Sequence, residues 1–112
     1  MDAASAPRGL PDGSNLFATV RASGGAEAVA RAYARAGWAV RACGWTEWEA
    51  RCGFAELVVE AADPVLVHGP VGDVAANAER AVAPLREAGI PFHAECYDAE
   101  GALLAELRWP PG

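Results

Sequence analysis

The sequence predicts an α+β domain: an antiparallel or mixed sheet of five to six strands, two helices on one face, and a closing C-terminal β-hairpin. Three observations carry this. Two alanine-rich segments place apolar residues at helical spacing. Several short segments alternate apolar and polar residues, as half-buried strands do. The last two such segments flank Asp98-Ala99-Glu100-Gly101, a turn sequence with glycine where a positive φ is wanted.

Along the chain, Leu16, Ala18 and Val20 alternate with Phe17, Thr19 and Arg21, predicting a first strand that ends at Ser23-Gly24-Gly25. From Ala26 to Ala36, Val29 and Tyr33 lie one turn apart, and Glu27, Arg31 and Arg35 line another face at spacing four. This predicts an amphipathic helix with Ser23 as N-terminal cap and Gly37 as a left-handed stop. Trp38 to His68 reads as two or three strands, with turn signals at Gly44, Gly53 and Asp63-Pro64. Within it the inward parity changes from Trp48, Ala50, Cys52 and Phe54 to Ala55, Leu57 and Val59. Either a bulge in one strand or a hairpin turn at Cys52-Gly53 produces such a change.

Asp73 is placed to cap a second helix carrying Val74, Ala78, Val82 and Leu85 at helical spacing, which ends before Gly89. Pro84 inside it predicts a kink or a split. In the final hairpin, a four-residue loop pairs Tyr97 with Ala102, which sets Cys96, Ala94 and Phe92 against Leu103, Ala105 and Leu107. His93 then faces Glu106 and Glu95 faces Leu104 on the other side, whereas a three-residue loop would mix core with solvent positions. The order strand, helix, strands, helix, hairpin matches a ferredoxin-like or related two-layer sandwich. Its expected limits are a flexible N-terminal segment over 1–14, one α+β domain over 15–109, and a tail over 110–112.

Composition bounds the function. The chain has 112 residues, enough for one domain whose core needs no disulfide or metal. Of its 59 hydrophobic residues 27 are alanines, which leaves 32 larger apolar side chains for the core. All nine basic residues are arginines, so Schiff-base chemistry, pyridoxal anchoring and a Walker-type phosphate clamp are excluded. The wealth of Ala, Gly, Arg and Pro without Lys reads as the codon bias of a GC-rich, bacterial genome. A net charge of −6 with dispersed arginines argues against nucleic acid and anionic membranes and favours a basic protein partner. Cys43, Cys52 and Cys96 show no zinc-ligand spacing, and residues 1–14 resemble neither a signal peptide nor a membrane span. Reduced thiols, no metal, no cofactor and a cytoplasmic location are the resulting expectations.

Four constellations carry possible chemistry. The outer face of the hairpin gathers His93, Glu95, Tyr97, Glu106 and Arg108, residue types that serve as acid, base and orienting donor, and equally as the ion pairs of a solvated sheet. Trp45, Glu47, Trp48 and Glu49 interleave aromatic and acidic groups suited to a cation or an Arg-rich surface, with Trp48 facing inward by parity. His68-Gly69-Pro70 with Gly72-Asp73 stands between a strand and a helix, where an anion can bind, but lacks a phosphate-loop pattern. The hydroxyls and thiols sit in no nucleophile motif.

Together these predict a small acidic protein-binding module, of the kind an immunity or antitoxin-like inhibitor or a regulatory subunit represents. It would act through a sheet face and acidic edge bearing Trp45, Glu47, Glu49, His93, Glu95, Tyr97 and Glu106, as a homodimer or on a basic partner. The alternative is a small dimeric enzyme or small-molecule binder with a polar pocket around His93, Glu95 and Tyr97.

Overall fold

The computed structural model describes residues 10–111. The expected N-terminal segment lies outside the described residues over 1–9, as does residue 112 of the tail. Seven strands and two helices follow one another as β1 (Leu16–Val20), α1 (Gly25–Arg35), β2 (Ala39–Ala42), β3 (Glu47–Cys52), β4 (Ala55–Glu60), β5 (Val65–Gly69), α2 (Val74–Glu87), β6 (Phe92–Tyr97) and β7 (Leu103–Trp109). They form a single sheet in the order β2-β3-β4-β5-β1-β6-β7, antiparallel throughout. The count exceeds the expected five to six because four strands, not two or three, lie between the helices. The additional one is β2, whose short, largely exposed Ala-Val-Arg-Ala run carries no alternation that would announce it.

The alternating strands have one apolar set each, and all of these sets point to the same side. Leu16, Val20, Leu57, Val59, Val67, Ala94 and Cys96 are fully buried there. Helix α1 lies over β2, β3 and β4, α2 lies over β6 and β7, and the helices touch each other. Each contributes the stripe its spacing forecast: Val29 and Tyr33 from α1, Ala78, Val82 and Leu85 from α2. Burying a side chain such as Leu57 contributes on the order of 2 kcal/mol. The Tyr33 hydroxyl, buried between the helices, donates to the Ala81 carbonyl at 2.6 Å and thereby satisfies itself.

Several local expectations are corrected. Ser23 does not cap α1; Gly24 holds the N-cap position and no side chain bonds there, although Gly37 does take a positive φ of 95° past the end. Asp73 holds the N-cap of α2 without a side-chain bond; its backbone carbonyl accepts from Ala76 and Asn77 instead. Pro84 does not split α2, because it falls in the last turn, where only three residues remain to be carried. The parity change after Cys52 is a hairpin: Cys52 pairs with Ala55 across Gly53-Phe54.

The register of the final hairpin differs from the expected one by two residues. His93 opposes Arg108, Ala94 opposes Leu107, Glu95 opposes Glu106 and Cys96 opposes Ala105, whereas Tyr97 opposes Leu103. Asp98 and Ala102 close a three-residue loop, with Gly101 at φ 83° and the Asp98 carboxylate accepting from the Glu100 and Ala102 amides. Leu104 is left without a partner, and this bulge turns the parity back so that Ala94 and Cys96 still face the core.

Candidate functional site

Because both helices sit on one side, the opposite face of the sheet has no cover among the described residues. The register sets its residues in rows. Across one row stand Glu49, Val58, His68, Phe17, Glu95 and Glu106; across the next, Glu47, Glu60, Leu66, Thr19, His93 and Arg108. Strand β1, between β5 and β6, therefore presents Phe17, 46% exposed, flanked by histidine and glutamate rather than by apolar neighbours. Leu66 is 36% exposed beside it.

Contacts fix this centre. The Phe17 ring stacks on His68 with centroids 6.4 Å apart and meets Tyr97 edge-on at 5.8 Å. His68 Nε2 lies 2.6 Å from Glu60 Oε2. On the other side of Phe17, His93 Nε2 lies 3.2 Å from Glu106 Oε2, and the Tyr97 hydroxyl donates to Glu95 Oε1 at 2.7 Å. That bond, reinforced by partial burial and the nearby carboxylates, raises the Tyr97 pKa above its ordinary value. Between the two histidines Phe17, Thr19, Leu66 and Glu95 line an open depression of about 210 Å³.

The structure thus brings His93, Glu95, Tyr97 and Glu106 together, as the alternation of the hairpin forecast. Their pairing is new: Glu106 stands directly opposite Glu95 and reaches His93 diagonally. Trp45 does not join them. It is fully exposed in the turn between β2 and β3, and four strand spacings, about 19 Å, separate β3 from β6. Glu49 is engaged by Arg41 at 2.8 Å and lies 3.7 Å from Arg51, while Glu47 stands in the row of Glu60. Trp48 packs on the core as parity required.

Other expectations resolve through their hydrogen bonds. In the turn after β5, Val71 N donates to Asn15 Oδ1 at 2.8 Å and Gly72 N to the Phe54 carbonyl at 2.8 Å, so these two amides are already engaged. His68, expected at the end of a strand that leads into that turn, lies in β5 and faces the open side. Burial pushes the Cys52 and Cys96 thiols up, which keeps them protonated rather than nucleophilic. Phe17, Thr19, Glu60 and Leu66 were not among the expected site residues; the one available signal was the alternation of β1, which marked Phe17 and Thr19 as facing away from the core. No described helix is long and apolar enough to cross a membrane. Comparison of the chain with protein-family models, curated proteins and solved structures finds no match.

Proposed function

We propose that this chain is a small protein-binding module, cytoplasmic and of the inhibitor or regulatory-subunit kind, which docks a basic partner on the helix-free face of its sheet. The observation that carries the reading is an exposed apolar centre, Phe17 and Leu66, set among the carboxylates of Glu60, Glu95 and Glu106. An aromatic anchor within a charged rim is the usual anatomy of a docking surface. On the strands of this face six glutamates (Glu47, Glu49, Glu56, Glu60, Glu95, Glu106) accompany three arginines (Arg41, Arg51, Arg108). The net charge of −6 disfavours a second copy, which would set these acids against their own counterparts.

The strand order also supports the finer fold reading. The strands β4-β5-β1-β6 with the two helices as crossovers have the arrangement of a ferredoxin-like sandwich, extended by β2 and β3 at one edge and β7 at the other.

The test is a pull-down from a lysate of the source organism with the chain, with Phe17→Asp, with the double variant Glu95→Arg/Glu106→Arg, and with Glu79→Arg on exposed α2. Support is a basic protein retained by wild type and Glu79→Arg, lost with both face variants, and weakened by raised salt. Retention by the face variants overturns the proposal, as does a wild-type homodimer that Phe17→Asp dissociates.

A further inference from the structure

We infer that His93, Glu95 and Glu106 form a binding site for a divalent transition-metal ion, with Zn²⁺ the best match. The site shares Glu95 and Glu106 with the proposed docking face but does not rest on that reading. One ligand atom from each of the three residues falls within 4.8 Å of the other two. The His93 Nε2 to Glu106 Oε2 separation is 3.2 Å. Two ligands at about 2.0–2.1 Å from a tetrahedral ion stand about 3.3 Å apart, so this pair already spans one edge of a coordination polyhedron. The Glu95 carboxylate lies within 4.8 Å of both ligand atoms.

Two further features point the same way. Glu95 and Glu106 are direct cross-strand partners, a placement in which like charges destabilise a sheet unless a cation lies between them. His93 is the group beside them, and Arg108, opposite His93, is the nearest arginine in the register. Moreover, the Tyr97 hydroxyl holds Glu95 through Oε1 at 2.7 Å, which orients the carboxylate and leaves Oε2 for an ion. Such an outer hydrogen bond to a ligating carboxylate is a regular part of metal sites. One imidazole and two carboxylates make a nitrogen–oxygen donor set suited to zinc, with the remaining position open to water. All three ligands lie on two neighbouring strands of a paired hairpin, so the backbone arrives preorganised.

The experiment is calorimetric titration of the chelator-treated full chain with Zn²⁺ alone, repeated on His93→Ala, Glu106→Gln, Tyr97→Phe and His68→Ala, with circular dichroism to verify folding. Expected are one equivalent of Zn²⁺ per chain, a Zn²⁺-dependent rise in Tm, and loss of both with His93→Ala and Glu106→Gln. Tyr97→Phe should weaken binding by about 10-fold or more, as loss of an outer partner does, whereas His68→Ala should bind as wild type does. Absence of Zn²⁺ binding by wild type, or equal binding by the folded His93→Ala and Glu106→Gln variants, overturns the inference.

Discussion

Replacement of Tyr33 by phenylalanine removes a single oxygen from the packing between the two helices. The hydroxyl is fully buried and donates to the Ala81 carbonyl at 2.6 Å. At pH 7 its loss should cost about 1 kcal/mol, or about 4–8 °C in Tm for a domain of roughly a hundred residues. The pH dependence is the sharper measurement. Burial, with a smaller contribution from Cys52, raises the Tyr33 pKa far above its ordinary value. An unfolded tyrosine ionises near pH 10, so above that pH the unfolded chain binds fewer protons than the folded one, and stability falls as pH rises. Below about pH 10 the group contributes no slope; above it the slope approaches about 1.4 kcal/mol per pH unit. The phenylalanine variant lacks this slope, while the other groups titrate alike in both proteins and cancel in the difference. Wild type should therefore lead by about 1 kcal/mol at pH 7, and the two stability curves should cross between about pH 10 and 11. Urea melts at pH 7, 9, 10, 10.5 and 11 read this directly. A difference constant across that range, or no difference at pH 7, would refute the placement of the hydroxyl.

Two further substitutions probe the sheet. Cys96→Asp places an unpaired charge in the core and should destabilise by several kcal/mol, whereas Glu95→Ala on the open face should stay within about 0.5 kcal/mol; equal, small effects in denaturant melts would mean that the faces of β6 are reversed. A Cβ on Gly69 would overlap the Glu56 carbonyl oxygen and approach Leu57 Cα at 2.9 Å, so Gly69→Ala should cost at least about 2 kcal/mol, while Gly53→Ala, in open space, should be near neutral. Similar Tm values for these two alanine variants would contradict the close packing of β4 on β5.

What the sequence revealed, and what it hid, follows the range of the interactions. Helix α1 was legible because Val29 and Tyr33 repeat at local spacing, and the outward cluster of His93, Glu95, Tyr97 and Glu106 because alternation along β6 and β7 is local too. The hairpin register was not legible, since alternation determines parity but not pairing, and the unpaired Leu104 shifts the pairing while restoring the parity. The centre of the open face was hidden for a different reason. Phe17, Leu66 and His68 become neighbours only because β5 pairs with β1, a choice made by core packing between residues roughly 50 apart in sequence. Trp45 misled because exposed aromatic and acidic residues near a turn look alike whether or not the fold carries them to the rest of the site.

The position of β1 bears on how the molecule is made. It is made before the other described elements, yet both of its neighbours arrive late: β5 roughly 50 residues and β6 roughly 75 residues downstream. The hairpins β2–β3, β3–β4, β4–β5 and β6–β7 close over short loops, but β6–β7 can join the other strands only by pairing with β1. Until β6 has been synthesised, β1 has an open backbone edge, with Leu16, Ala18 and Val20 along one side of the strand. A ribosome stalled after α2 would therefore hold an aggregation-prone five-stranded sheet, and completion of β6 is the step that covers its open edge.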